Sequence, residues 1–372
     1  MNKIYWFVNQ YIKRGGTEIV TNQIINFLKE DYDITTVLLS NEIDDHLFDV
    51  KNNKIVSLHI DKEIIRNEDY YSKNTFKNLK IAFKVLFYFL FKRYKYRKVI
   101  KKMTDESDIL IFSSVFGYAI APKNRKNYFH IHYNDQYINR ISNQIVFKLF
   151  SHKPTKYIVL SKGTLEAIKL RPAIYIYNPV RIGLKENYEV NDTINIIFMA
   201  RFEKDKNPLL ALEVANELSK LNTNFTFSFY GDGYERKNME NYLKNHAKLN
   251  YFVKIYGRYN DPSEVLEEKD ILVMTSKSEG FGLTLIEAAT QSIPSVLFDF
   301  GAGCNEVINN GIDGIILKSF SAKEMATVLN ELIKNKKKLI DLKKGAYKNA
   351  QRFSPDKIKG EWEKFLNEEF KR

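Results

Sequence analysis

The residues best suited to chemistry are two carboxylates, Glu279 and Glu287, which bracket Gly280-Phe281-Gly282-Leu283-Thr284. The apolar run Ile271–Thr275 reads as a strand, and Ser276-Lys277-Ser278 carries the chain off its end. Two glycines delay regular helix until about Thr284, which leaves Glu279 on a loop and Glu287 about one turn into a helix. The N–H groups of Gly282, Leu283 and Thr284 lack intrahelical acceptors and lie at the positive end of the helix dipole, which suits phosphate oxygens. Carboxylates would repel those oxygens, so Glu279 and Glu287 suit hydroxyl groups on the rest of a ligand. A glycine-broken turn followed by an ordinary helix gives the same pattern.

Cations stand in a comparable place. Arg201 follows the strand-like Ile194–Met199, and Lys206 comes just before Asn207-Pro208, where a helix opens. Together they could clamp a diphosphate, the arginine as a fork and the lysine as a point charge. A solvated loop paired with Glu203 and Asp205 is the alternative. Gly15-Gly16-Thr17-Glu18 follows the first strand and opens a helix, which suits either an anion or a plain glycine turn. The dinucleotide fingerprint G-x-G-x-x-G is absent there, which weighs against hydride transfer. His130 and His132 share one face of the strand Tyr128–His132, where packing alone can satisfy strand histidines.

These loops need strands and helices to hold them. Ile4–Val8, Ile34–Leu39, Ile55–Ile60, Ile109–Ser113, Tyr128–His132 and Lys156–Leu160 read as strands with helical stretches between them. The pattern restarts with Ile194–Met199, Phe225–Tyr230, Val253–Tyr256, Ile271–Thr275, Ser295–Phe298 and Gly314–Leu317. Helices begin near Pro208, Tyr234, Pro262, Thr284 and Ala322. Such alternation predicts two α/β, doubly wound, Rossmann-like domains facing an interdomain cleft, with functional loops after strands. The expected domains are 1–180, 181–354 and a terminal helix, 355–372, that packs back on the first. Asn178–Asp192 reads as the linker.

Composition sets the outer bounds. With 372 residues the chain suits two domains. No apolar run approaches the ~20 residues of a membrane span, no secretory leader is evident, and the lone Cys304 fits a reducing compartment. Residues 1–180 hold 29 Lys+Arg against 17 Asp+Glu, whereas the rest holds 29 against 28. The N-terminal half therefore faces something anionic, a membrane surface or nucleic acid. Phe76–Met103 carries ten Lys/Arg and no acid. Its cations Lys77, Lys80, Lys84, Lys92, Arg93, Lys95, Arg97 and Lys98 accompany the apolar Phe76, Leu79, Phe83, Leu86, Phe87 and Leu90. This reads as a basic amphipathic helix for an anionic bilayer, or as a domain helix whose apolar face is core. No nucleic-acid recognition module appears.

Taken in order, these pieces resemble a family 4 glycosyltransferase of the GT-B fold, of the bacterial surface-polysaccharide type. Besides the segments above, the resemblance rests on Tyr157–Ser161, Tyr177-Asn178-Pro179-Val180, Ala200-Arg201-Phe202, Phe229-Tyr230-Gly231-Asp232-Gly233, Ile255-Tyr256-Gly257-Arg258 and Asn310-Gly311-Ile312-Asp313-Gly314. It implies retaining, metal-independent hexosyl transfer without a cofactor, from a nucleotide sugar (a UDP-sugar favoured) to a lipid-linked or surface-glycan acceptor. Arg201, Lys206 and the Gly15-Gly16 loop would hold the diphosphate, and Glu279 the donor sugar. Glu287 would bind the ribose, Gly257-Arg258 the base, and His132, followed by Asn134 and Asp135, would be the active-site histidine, with His130 the alternative. It also implies a cytoplasmic protein on the inner face of the plasma membrane. Cys304 stands where the family often has proline, and Ala200 where glycine is common. A non-catalytic scaffold subunit is the alternative reading; a GT-B epimerase or phosphorylase fits the fold but not the order of the loops.

Overall fold

The computed structural model describes residues 2–10, 16–43, 52–60, 75–132, 152–167, 171–301 and 303–372, with backbone only at 16, 75–86 and 89. The chain divides into two units, Met1–Pro179 with Ile358–Arg372, and Val180–Lys357.

The first unit runs β1 (Lys3–Val8), α1 (Gly16–Leu28), β2 (Asp33–Leu38), β3 (Lys54–Ser57), α2 (Thr75–Met103) and β4 (Ile109–Phe112). It continues with α3 (Val115–Ala119), β5 (Lys126–Ile131), β6 (Lys156–Val159), α4 (Lys162–Ala167) and β7 (Ala173–Tyr175). The second begins with β8 (Ile194–Met199), α5 (Pro208–Leu221), β9 (Phe225–Tyr230), α6 (Arg236–Asn245), β10 (Val253–Ile255), α7 (Pro262–Leu266) and β11 (Ile271–Met274). It ends with α8 (Leu283–Thr290), β12 (Ser295–Phe298), α9 (Cys304–Val307), β13 (Gly314–Leu317), α10 (Ala322–Lys334) and α11 (Lys336–Ala350), before α12 (Pro355–Lys371) returns to the first unit.

Both sheets are parallel. Their orders are β3-β2-β1-β4-β5-β6-β7 and β10-β9-β8-β11-β12-β13, so the winding reverses between β1 and β4 and again between β8 and β11. In open parallel sheets ligands bind outside the carboxyl ends of the strands at such a reversal. Buried β4 and β11 are continuous apolar runs, as strands covered on both faces must be.

In the first unit, Phe129 and Ile131 of β5 join the core on one face with Tyr118. On the other face Tyr128 meets Phe365 and His130 meets Trp362, both on α12. The helix is fastened at its end: Glu369, nearly fully buried, accepts from Tyr128 at 2.7 Å and pairs with Lys156 at 2.5 Å and Arg372 at 3.1 Å. In the second unit the core gathers aromatic residues of β8 and β9 with apolar faces of α5, α10 and α11.

The segment expected as a linker is laid along the second unit. Val180 N–H donates to Phe353 O, Lys185 N–H to Thr290 O and Asn187 N–H to Ser292 Oγ. Its lack of periodicity reflects an extended path over the C-terminal end of α8, with Val180 and Ile182 buried.

Candidate active site

The loop after β8 and the loop after β11 meet at the reversal of the second sheet. Thr275 Oγ1 donates to the carbonyls of Lys206 (3.1 Å) and Asn207 (2.9 Å), and Lys277 N–H donates to Asp205 O at 2.8 Å. These bonds hold Lys206 beside Glu279, with the ammonium 2.7 Å from Oε2 and both side chains 14% exposed. Asp205 lies farther from that ammonium, at 3.6 Å. Half-buried opposite charges this close hold one another in place, since stranding either without the other would be costly. The pair therefore offers a fixed cation and a fixed acceptor side by side.

Arg201 is exposed, and its guanidinium makes no hydrogen bond or ion pair among the described residues. Gly231 allows the loop after β9 to approach: its φ is +148°, and a Cβ there would lie 1.9 Å from Ala200 O. Gly231 N–H also donates to Gly257 O, which ties in the loop after β10. On that loop Arg258 is exposed and faces Asp232 at 3.4 Å. Tyr230 and Tyr256 stack at 4.5 Å beneath it.

Helix α8 starts on Gly282, in the left-handed region at φ 77°, and no side chain caps it. Its first N–H groups, like those of α5 behind Asn207, are left for an anion. Ser276 Oγ, just past the end of β11, is buried with no hydrogen-bond partner among the described residues. Gly280, Leu283 and Thr284 are part-exposed along this turn.

Phe281 is buried and packs edge-on against Phe353 at 5.8 Å. Glu287 lies on α8. It is buried, and its Oε1 accepts from Arg181 Nε at 2.7 Å. Burial raises its pKa, against which Arg181 acts. The sequence hid this pair because the two residues lie 106 positions apart and Arg181 falls in an aperiodic segment.

In the first unit, His132 lies just past the carboxyl end of β5, 7% exposed, with Nε2 3.5 Å from Thr21 Oγ1 of α1. His130 lies behind it at 3.9 Å between ring centroids, enclosed by Trp6 and Trp362 at 5.9 and 5.3 Å. The strand's pleat gives the two one face, but only His132 reaches the strand's end. Burial lowers both pKa values, that of His132 to about 3, so both rings are neutral near pH 7. Gly16 opens α1, whereas Gly15, Asn134 and Asp135 lie outside the described residues.

Helix α2 presents a divided face. Tyr96 and Ile100 are buried in the core, while Phe87, Leu90, Phe91 and Tyr94 are exposed at i, i+3, i+4 and i+7. The same outward stripe continues with Lys98, Lys101 and Lys102, and Lys92 and Lys95 are exposed beside it. Arg97 does not belong to that surface: its guanidinium turns inward to donate to Ala119 O at 3.0 Å. Arg93 is half-buried, and the side chains of Lys77, Lys80 and Lys84 lie outside the described residues. No helix among the described residues is long and apolar enough to cross a membrane.

Residues 184–349 match the family model described as glycosyl transferases group 1. An uncharacterized glycosyltransferase of Haemophilus influenzae is 23% identical over 98% of this chain and 100% of its own. Among solved structures, TarM of S. aureus superposes with a TM-score of 0.78 at 16% identity, covering 100% of this chain and 99% of its own. HepE of Anabaena in complex with UDP superposes with a TM-score of 0.73 at 16% identity, covering 99% and 100%. Two parallel Rossmann-like units and these likenesses make the fold GT-B.

Proposed function

We propose that this chain, a glycosyltransferase of GT-B type, moves a hexosyl group from a nucleotide sugar, a UDP-sugar by preference, to a lipid-linked or surface-glycan acceptor with retention at the anomeric carbon. The observation that carries the reading is the Lys206–Glu279 pair at the strand-order reversal, beside the uncapped start of α8 and the unengaged Arg201. In this reading Arg201, Lys206 and the backbone N–H groups of Gly282, Leu283 and Thr284 bind the diphosphate, with Gly16 as a further donor. Glu279 accepts from the sugar hydroxyls, Glu287 from the ribose, and the Gly257-Arg258 loop contacts the base. His132 is the active-site histidine. Being neutral at pH 7, it contributes a ring hydrogen bond rather than a charge.

The chemistry follows from where charge develops. The anomeric C–O bond breaks with its electron pair passing to the diphosphate oxygen, and the sugar carbon gains positive character. The acceptor oxygen forms its bond on the same face, and its proton passes to the departing phosphate oxygen. Fixed cations and N–H donors stabilise that leaving group without the reorganisation that water would require. Two such cations supply the neutralising charge, so transfer proceeds without a metal ion or a cofactor and should be unaffected by a chelator.

The exposed aromatic and lysine stripe of α2 supports peripheral association with the cytoplasmic face of an anionic membrane, where a lipid-linked acceptor would reside. The test is donor turnover by purified protein on anionic vesicles. Slow hydrolysis of a nucleotide sugar by the unmodified chain, largely lost in Glu279→Ala and Lys206→Ala, is the expected result. Undiminished turnover in both variants would overturn the site, and no turnover with any sugar nucleotide would favour a non-catalytic binding subunit.

A further inference from the structure

Arg181 lies in the extended segment that follows the first unit, and its surroundings fix it. Val180 N–H donates to Phe353 O, while Gln291 Nε2 donates to Gly183 O and Lys185 N–H to Thr290 O. The segment is thus fastened on both sides of the arginine. Its guanidinium reaches Glu287, whose side chain is only 7% exposed, and bonds one carboxylate oxygen, Oε1, at 2.7 Å. Oε2 accepts no hydrogen bond among the described residues. A carboxylate so enclosed would lose its charge unless a cation compensated it.

The other groups facing Glu287 are known. Asp261 and Tyr259, from the segment between β10 and α7, interact with it electrostatically, and the aspartate opposes its ionisation. Where α8 meets α11 the contact is made by Ala289, Ala346 and Ala350, which bring no charge. Among the described residues, Arg181 is therefore the cation on which the ionised state depends.

We propose that Arg181 is a positioning residue: by occupying Oε1 it holds Glu287 ionised and in one orientation, leaving Oε2 to accept from the ribose hydroxyls of the donor. The proposal rests on the donor reading given above and assigns a residue that the sequence resemblance does not. Its consequence is specific. Losing the arginine should weaken recognition of the ribose, not of the diphosphate, and should make that recognition depend on pH.

Calorimetric titration with UDP, GDP and ADP identifies the base that binds most tightly, and that nucleotide is then compared with its 2′,3′-dideoxy form between pH 6 and 8.5. The unmodified chain should bind the ribonucleotide with an affinity that is flat across this range. Arg181→Met should bind it about tenfold more weakly, increasingly so as pH falls and Glu287 takes up a proton. Its affinity for the dideoxy form should match that of the unmodified chain. Arg181→Lys should restore part of the loss, and Arg181→Gln, which keeps a hydrogen-bond donor without charge, should keep the pH dependence. Thermal unfolding checks that each variant folds. Equal loss of ribose and dideoxy forms, or unchanged affinity in both neutral variants, would overturn the proposal. Failure of the unmodified chain to bind any of the three nucleotides would instead overturn the donor reading beneath it.

Discussion

The two units share one strand order up to the extra edge strand of the first, yet their reversal points are furnished differently. Beyond β8 and β11 stand Arg201, Lys206 and Glu279, on loops bonded to one another at Thr275 and Lys277. Among the described residues, the corresponding neighbourhood of the first unit holds Ser113, which accepts from Trp6 Nε1 at 2.9 Å, together with Thr21 and His132. Among the described residues, one scaffold therefore carries charged side chains at this point in one copy and hydroxyl and imidazole groups in the other. Part of the charge excess of residues 1–180 is carried by the exposed lysines of α2, on its outward face. Topology fixes where a site forms, and the loop side chains decide what it takes.

The contrast can be broken by attacking each side separately. The largest effect should come from Trp362→Ala. This side chain is fully buried between Trp6, His130 and Phe365, so its truncation should cost about 3–5 kcal/mol. Hydrogen exchange should show lost protection in β1 and β5, with β8 and β11 unchanged. Uniform loss through both sheets would show that the units do not have separate cores. Lys206→Met comes next. It removes a cation from the leaving-group side, and transfer should fall by about 10²–10³ in kcat. His132→Ala should lower kcat while leaving nucleotide affinity unaltered; reduced affinity would assign it to donor binding.

Acidification is the gentlest probe. The folded state holds His132 neutral down to about pH 3, with His130 and His152 also lowered by burial, whereas the unfolded chain protonates its histidines near pH 6.5. The stability they give is present above pH 6.5 and is lost as pH falls below it, at no more than about 1.4 kcal/mol per pH unit for each histidine. In the second unit, burial raises Glu287 and Asp313, so protonating them as pH falls relieves a cost of folding. Between pH 6.5 and 4.5 the first unit should therefore weaken while the second does not. Hydrogen exchange resolved by strand, corrected for intrinsic rates, checks this. Parallel weakening of both would remove the electrostatic difference between the units.

How much of this could be read from sequence depended on local signal. Ile194–Met199, Phe225–Tyr230, Ser295–Phe298 and Gly314–Leu317 have the bounds read from the sequence, because each is a short segment rich in apolar residues next to polar or turn residues. The three-residue β7 is too short for a periodic pattern, and α11 was hidden by its many lysines following directly on α10. Arg201, Lys206 and Glu279 were legible because they lie within a few residues of strand ends, where topology directs function. The Arg181–Glu287 pair and the aromatic enclosure of His130 were not. Each depends on contacts between distant segments, and local propensity carries no trace of them.

The central claim, that the second unit's reversal point binds a nucleoside diphosphate through its cations, is tested most directly by equilibrium binding. The unmodified chain and an Arg201→Met, Lys206→Met double variant would each be titrated with UDP-, GDP- and ADP-sugars while thermal unfolding is followed. The account predicts a saturable rise in unfolding temperature with at least one sugar nucleotide, because a ligand that binds only the folded state stabilises it. That rise should be lost in a double variant that still folds. No rise with any of the three, or an undiminished rise in the double variant, would contradict it.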